Sequence, residues 1–527
     1  MRSIESQDRH RKPDLARTGS RASRWALLVL ALIALVPRLY VALTTTYLYD
    51  EQRDWIPVAN SISLEPSSWH TPIRGAHHPA LPAYGIALGR ALVGHNELGT
   101  RAVGIILGVA TVLLIFLCVR DVGGSATASW IGALLLAANE YHIHASVLAT
   151  EKAYYLFFAT LAVWFFLRFM REERAKWLYW AAVATGLSFL SKETAALLGA
   201  VFIITLVATR YRVWFRRREA YFAALLCFAV ISPDIWWNVT NQDPDAAANY
   251  SRHLAGVGSL GITYQPLLLY GREAVAWLLG VAGLPFYDNA EEYAAGNFLL
   301  SLVIAGGVLY ALLNSQMRRN PGVVLLLVLF VFIFGFFTFA GERSTPGLHS
   351  FGFFWGDLSL IGGVALGGLW ASSLVGVRRV LAALALASGL LLSGTRVFRD
   401  HLAAPSIAAL AAPDLIENAP GVLRDISVSF NFCQVCDQSP RIELVEVRTR
   451  SGGKDIPRDS VSRLIADASL GTDDRSIRVE SSAPPPPTLK SYLLEYRIRP
   501  RRGEAKMVRA SVEVRQSMPA NHPRWEW

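Results

Sequence analysis

The chain is poor in charge and in cysteine. Only 17% of its 527 residues are charged, against roughly 25% in an average soluble domain, and 53% are hydrophobic. That balance argues against an ordinary soluble protein. Four cysteines are too few for a disulfide scaffold, and Cys118 and Cys227 lie in apolar runs where they act as small hydrophobes. Cys433 and Cys436 are the two that would pair; a local disulfide and two free thiols both fit, and a metal or redox role needs more ligands than this pair offers. No internal repeat is evident.

What is present is a series of apolar runs of membrane-spanning length. The first, Trp25 to Leu43, follows an arginine-rich leader, 1 to 24, and is about 30 Å long as a helix. Its flanks do not resemble a cleaved signal peptide, so it reads as a retained first helix. Further helices are expected at 101–119, 124–140, 153–170, 177–190, 194–209, 220–237, 297–313, 322–340, 354–374 and 378–395, making about eleven spans between 25 and 395. The excess of 51 Lys+Arg over 41 Asp+Glu is a topology signal rather than a nucleic-acid one. With the amino terminus in the cytoplasm, the loops of Arg120, Arg168/Arg171/Arg174/Lys176, Arg210 to Arg218, Arg318/Arg319 and Arg378/Arg379 all fall inside, and the carboxyl-terminal segment falls outside. Ala80 to Gly94 and Pro266 to Pro285 are apolar but carry Arg90, or Arg272 and Glu273, and read as interfacial helices on the outer face.

The inner loops are short, whereas 44–100, 238–296 and 396–527 are long and outer, which favours chemistry at the outer surface. From 396 onward, alternation in Ile426/Val428/Phe430/Phe432, Leu494/Tyr496/Ile498 and Val508/Ala510/Val512/Val514 predicts strands. Helical stretches near 405–418 and 460–468, with the loop Pro484 to Pro487, complete the expectation of a small α+β periplasmic domain.

Three acids, Asp50, Glu51 and Asp54, stand at the outer mouth of the first helix beside Arg53. A carboxylate within reach of a hydroxyl acts as a general base when the leaving group lies across the reacting carbon. The bland alternative is a solvated acidic helix end. His77 and His78 are adjacent, diverge in direction and lack a third ligand, so binding phosphate or sugar suits them better than zinc. Glu140, His142, His144, Glu151 and Lys152, then Lys192 and Glu193, recur at outer helix ends, where ionisable groups are often functional. Snorkelling to headgroup level is the bland reading for Lys152 and Lys192.

Over roughly residues 25 to 300 these motifs resemble the polyprenyl-phosphate-dependent glycosyltransferases of the GT-C type, including protein O-mannosyltransferases and lipid A aminoarabinose transferases. The resemblance rests on Asp50-Glu51, on His78-Pro79-Ala80-Leu81 against an H-P-P-L-like stretch, on Arg101 and on Glu151. It rests too on Gly186-Leu187-Ser188-Phe189-Leu190-Ser191-Lys192 and on Pro233-Asp234-Ile235-Trp236-Trp237-Asn238. Ala80 replaces a proline and Glu151 an aspartate of the family pattern.

The resemblance implies a GT-C-like membrane domain that transfers a hexosyl or pentosyl unit from a polyprenyl-phosphate carrier to an acceptor hydroxyl, with inversion. The acceptor would be a lipid, a polysaccharide or a protein. Asp50 would be the base, with Glu51 or Glu151 orienting the acceptor. The phosphate partners would come from Arg53, Arg74, His77, His78, Lys152, Lys192, Arg272 and Arg343, with Arg74 and Lys192 foremost. Arg101 and His349 join the binding set, and Asp357 flanks the same outer helix end as His349. The absence of glycine-rich phosphate loops fits a lipid donor. Asp50, Glu51 and Asp54 would supply oxygens to Mg²⁺ or Mn²⁺, the spacing of Asp50 and Asp54 putting those two on one helical face, but no D-x-D occurs in this loop and a metal-independent reaction is preferred. The implied location is a multi-pass protein of a bacterial inner membrane and cell envelope. The competing readings are a secondary transporter or lipid flippase, which would place charges at helix centres, and a non-catalytic scaffold.

Overall fold

The computed structural model describes residues 21–44, 51, 55–62, 79–240, 298–340, 348–388 and 391, together with strands between 407 and 513. The first part is helical: α1 Arg21–Thr44, α2 Ile56–Ser61, α3 Leu81–Val93, α4 Glu97–Asp121, α5 Ala126–Ala137, α6 Glu140–Val147, α7 Lys152–Glu172, α8 Ala175–Phe189, α9 Leu197–Ala208 and α10 Arg218–Thr240. Helices Phe298–Leu313, Pro321–Ala340 and Leu348–Ser373 follow, with a further helix at 377–388. Each expected apolar run thus contains helix. Among the described residues, three helices (Glu97–Asp121, Lys152–Glu172 and Arg218–Trp236) are long and apolar enough to cross a membrane, and α9 with the 3₁₀ turn Arg210–Arg216 makes a fourth span if that pair, bent by 112°, is one. The chain is a multi-pass membrane protein.

Local chemistry sets the helix starts. The side chains of Asn96, Ser125 and Asn139 accept hydrogen bonds from the backbone N–H groups of Gly99, Ala128 and His142, opening α4, α5 and α6. α7 stops at Glu173, whose φ of 52° is left-handed.

Small residues let the helices approach closely, as membrane packing requires. A Cβ at Gly307 would lie 2.2 Å from the Gly367 nitrogen, so Phe298–Leu313 meets Leu348–Ser373 backbone to backbone. A Cβ at Gly368 would lie 2.8 Å from the Ala128 oxygen, which seats α5 on the same helix. Around this buried core the outer faces are apolar, with Leu32 and Val36 on α1, Ile203 and Val207 on α9, and Phe222 and Leu225 on α10 all exposed.

The bundle has two chemically distinct ends. One gathers the carboxyl terminus of α4, the α7–α8 turn and the 3₁₀ turn Arg210–Arg216, tied by Arg210 to Glu173 at 3.4 Å and by Asn320 Nδ2 donating to the Val122 carbonyl at 2.7 Å. Clustered arginines mark this basic end. The other gathers the end of α1, Glu51, the start of α4, α6, Glu151 and Lys192. α3 lies across that second end rather than through the bundle. Its Leu81 N–H donates to the Leu190 carbonyl at 3.3 Å, while Arg90 donates to Thr100 Oγ1 at 3.3 Å.

The expected segment Pro266 to Pro285 lies outside the described residues. Beyond 400, the described residues form two antiparallel sheets. One holds β1 Ile407–Ala409, β2 Asp414–Ala419, β3 Val422–Phe432, β5 Ser469–Leu470 and β6 Ser476–Ser481 in the order β1-β3-β6-β5, with β2 also on β3. The other holds β4 Arg441–Thr449, β7 Ser491–Arg499 and β8 Lys506–Glu513 in the order β4-β7-β8. Val428 faces Val479 and Phe430 faces Ile477 in the first, and Leu494 faces Ala510 and Tyr496 faces Val508 in the second, so the alternating apolar positions stay in register.

This corrects the α+β expectation at 405–418, where β1 and β2 stand instead of a helix. Alanine-rich sequence favours helix locally, but Ile407 to Ala409 pair with Phe430 to Phe432, and long-range pairing prevails over propensity. The stretch 460–468, the prolines 484–487, and Cys433 and Cys436 lie outside the described residues.

Candidate active site

Two buried ion pairs form the second end of the bundle. Glu51 and Arg101, both fully buried, meet in a bidentate pair, with Arg101 Nε donating to Glu51 Oε1 at 2.9 Å and Nη2 to Oε2 at 2.7 Å. The Ala149 backbone N–H also donates to Glu51 Oε1 at 2.9 Å, and Arg101 Nη1 reaches the Ala42 carbonyl at 3.4 Å. Glu51 therefore ties together the end of α1, the first turns of α4 and the segment after α6. Two residues beyond Ala149, Glu151 accepts a 2.6 Å hydrogen bond from Lys192 Nζ, both side chains being buried. Burial pushes the Lys192 ammonium below the ordinary lysine value, and the Glu151 carboxylate opposes this by its charge and its hydrogen bond. Lys152, also buried, starts α7 beside them.

A third buried cluster supports α6. Arg38 is fully buried and donates from Nε to Ser146 Oγ at 2.8 Å and from Nη1 to the Ala34 carbonyl at 2.6 Å, while its Nη2 lies 2.6 Å from His142 Nδ1. Because arginine only donates, Nδ1 accepts and the imidazole proton sits on Nε2. That Nε2 is buried with no hydrogen-bond partner among the described residues. Burial, and secondarily the Arg38 guanidinium, hold the His142 imidazole well below its ordinary value of 6.5. The facing side of α4 is cut away to admit α6. A Cβ at Gly104 would lie 2.9 Å from the Ser146 carbonyl oxygen, and one at Gly108 would lie 2.2 Å from Ser146 Cβ and 3.0 Å from Arg38 Nε.

Of the residues singled out by sequence, Glu51, Arg101, Glu151, Lys152 and Lys192 come together here. His349 and Asp357 fall in the first turns of the helix Leu348–Ser373. Asp50, Arg53, Asp54, Arg74, His77, His78, Arg272 and Arg343 lie outside the described residues. Sequence reasoning missed Arg38, Ser146 and the Ala149 N–H. An arginine inside a nineteen-residue apolar run was the available signal for Arg38.

No group of three or more His, Cys, Asp or Glu suited to a metal ion occurs among the described residues. Glu51, the one described member of the acidic set at the first helix, already has both oxygens engaged by Arg101.

Residues 77–237 match the family model described as dolichyl-phosphate-mannose-protein mannosyltransferase. A protein of Aquifex aeolicus (strain VF5) is 27% identical over 163 residues, which is 30% of this chain and 32% of that protein, so the match spans about a third of that relative. Among solved structures, ArnT from Cupriavidus metallidurans bound to undecaprenyl phosphate is 17% identical with a TM-score of 0.48, covering 71% of this chain and 65% of that one. The oligosaccharyltransferase of Archaeoglobus fulgidus tethered to an acceptor peptide is 16% identical with a TM-score of 0.42, covering 71% and 55%. The stretch that carries Arg101, Glu151 and Lys192 is therefore similar to the dolichyl-phosphate-mannose-protein mannosyltransferases, in agreement with the GT-C resemblance of the sequence.

Proposed function

We propose that this protein is an inverting membrane glycosyltransferase that moves a hexosyl or pentosyl unit from a polyprenyl-phosphate carrier to an acceptor hydroxyl. The observation that carries the reading is the convergence of Glu51–Arg101 and Glu151–Lys192 at one end of the bundle, within or next to the mannosyltransferase-like stretch. Charges this deeply buried are costly to desolvate even when paired, and membrane proteins keep them chiefly where function uses them.

Asp50, the neighbour of the anchored Glu51, takes the proton of the acceptor hydroxyl as its oxygen forms a bond to the anomeric carbon. The bond from that carbon to the phosphate oxygen breaks on the opposite side, and the phosphate leaves with the electron pair. Lys152 and Lys192, with Arg53, Arg74, His77, His78, Arg272 and His349, supply the cationic and hydrogen-bonding groups that receive it. Arg101 acts through Glu51, holding the loop that presents Asp50. The leaving phosphate is already ionised and departs without a metal, so chelation should leave the reaction unchanged. If Mg²⁺ or Mn²⁺ takes part, Asp50 and Asp54 are its ligands. The site end faces the periplasm of a bacterial inner membrane, the amino terminus lies in the cytoplasm, and the segment 396–527 is periplasmic and positions the acceptor.

The test is mass spectrometry of polyprenyl-phosphate lipids in membranes of a host lacking the protein, complemented by wild type or Asp50→Asn. One glycosylated carrier should accumulate and be cleared by wild type alone, its mass naming the sugar. Equal clearance by both proteins removes Asp50 as the base, and no accumulation moves the reading to a transporter or flippase. Deleting 400–527 should stop transfer to the acceptor; unchanged transfer would refute the positioning role.

A further inference from the structure

At the basic end, the 3₁₀ turn Arg210–Arg216 leaves α9 at 112° and leads into α10 at Arg218. Residues three apart eclipse one another in a 3₁₀ helix, so this turn has distinct sides. Tyr211 and Trp214 share the side that faces the bundle and are buried. The Trp214 ring meets Phe169 of α7 edge-on at 4.7 Å, and the Tyr211 hydroxyl donates to the Met170 carbonyl. Tyr221 of α10 donates to the Phe215 carbonyl at 2.9 Å, fixing the far end. The turn is thus pinned to the protein on one side.

The other sides carry arginine beside an apolar residue, with Arg210, Val213 and Arg216 along one and Arg212 and Phe215 along the next, while Arg218 opens α10 past the extended Arg217. All of these arginines are exposed, and Val213 is 53% exposed. Among the described residues Arg212, Arg216 and Arg218 have no ion pair, whereas Arg217 stacks over Trp214 at 4.4 Å. Above the turn, α9 exposes Ile203 and Val207, and α10 exposes Tyr221, Phe222 and Leu225. An apolar surface that faces outward on two helices therefore stops abruptly at a belt of exposed arginines.

We propose that this turn is a binding site for anionic phospholipid headgroups, whose phosphodiester oxygens are held by Arg212, Arg216 and Arg218 while Val213 dips to the acyl boundary. Three observations select lipid as the occupant. The belt lies where an exposed apolar face ends, its charge is positive apart from Glu173 on Arg210 and Glu219 after Arg218, and an exposed valine sits between the arginines. A merely solvated loop does not require that valine, and an acidic protein partner would not meet the hydrocarbon-facing surface directly above. The site lies at the opposite end from the ion pairs and is independent of the proposed transfer.

The test uses purified full-length protein in neutral detergent, titrated with phosphatidylglycerol or phosphatidylcholine and followed by thermal unfolding. Phosphatidylglycerol should stabilise and phosphatidylcholine should not. Inorganic phosphate should have no effect, since it lacks the acyl chains. The variant Arg212→Gln/Arg216→Gln should weaken half-saturation by phosphatidylglycerol on the order of tenfold. Arg318→Gln/Arg319→Gln removes equal charge from exposed positions at the same end and should change it little. Equal losses in both variants would mean a diffuse surface potential, and no loss in either, or stabilisation by inorganic phosphate alone, would also overturn the site. Should the variant fail to purify, the wild-type effect decides: it must vanish at about 0.5 M salt, where screening is short-ranged, and its persistence would refute the proposal.

Discussion

Glu51 commits both carboxylate oxygens to the scaffold, and this separates its role from that of its neighbour Asp50. Removing only the arginine of a buried pair deprives the carboxylate of that counter-charge, so Arg101→Met should destabilise the protein by about 3–5 kcal/mol. The double variant Glu51→Met/Arg101→Met should recover much of that loss. Thermal unfolding in detergent measures it, and strictly additive losses would show that the 2.7 Å pair is not coupled. His142 makes a prediction of a different kind. Its folded imidazole titrates well below 6.5, so the folded state stays neutral while the unfolded chain takes up a proton below that value. Stability is therefore full above about pH 6.5 and falls as the pH drops, because the unfolded state then binds more protons. His142→Gln should flatten that part of the pH profile of the unfolding temperature; an unchanged slope would assign it to other groups.

At the scale of elements, the α4 face bearing Arg101, Gly104 and Gly108 is the surface on which α6 and the turn to Glu151 are laid. Gly104→Ala places a Cβ against the Ser146 backbone oxygen, which cannot yield as a side-chain tip would. It should cost about 1–3 kcal/mol and lower transfer by displacing Ala149 and Glu151. Gly199→Ala in α9 is the control. Nothing lies within 4 Å of its added Cβ, and helix propensity there favours alanine by about 1 kcal/mol. Equal effects of the two substitutions on activity would dissociate α6 packing from the site.

The same elements show what sequence could and could not reveal. Long spans such as α4 and α7 were legible because hydropathy is a property of the segment alone. α6 was not, since eight residues holding Glu140, His142 and His144 present no apolar run, although Asn139 is a good start signal. The polar candidates Glu51, Arg101, Glu151 and Lys192 were legible by type. Their pairing was not, because partners 50 and 41 positions apart are joined only by the tertiary fold. β1 and β2 are hidden from the sequence for a related reason: their strands exist through pairing with β3.

For the whole molecule, orientation decides which compartment the ion pairs serve. The structure brings the arginines of the α7–α8 turn and of 210–218 to one end with Asn320, the residue after Arg318 and Arg319, and the ion pairs to the other. Basic clusters near the spans favour the cytoplasm, and on the orientation proposed above the Glu51 and Glu151 end faces outward. α3 is the element that would upset this arrangement if it crossed. At 13 residues it is about 20 Å long, short of a hydrocarbon core of about 30 Å. Both its ends are also tied to the site end, through Leu190 and Thr100. Fusing alkaline phosphatase, which is active only outside the cytoplasm, after Gly94 or at the carboxyl terminus should therefore give active enzyme. Fusion after Asn320 should give inactive enzyme. Activity after Asn320 together with inactivity after Gly94 would reverse the molecule. The ion pairs would then face the cytoplasm, and a donor presented on the outer leaflet could not reach them.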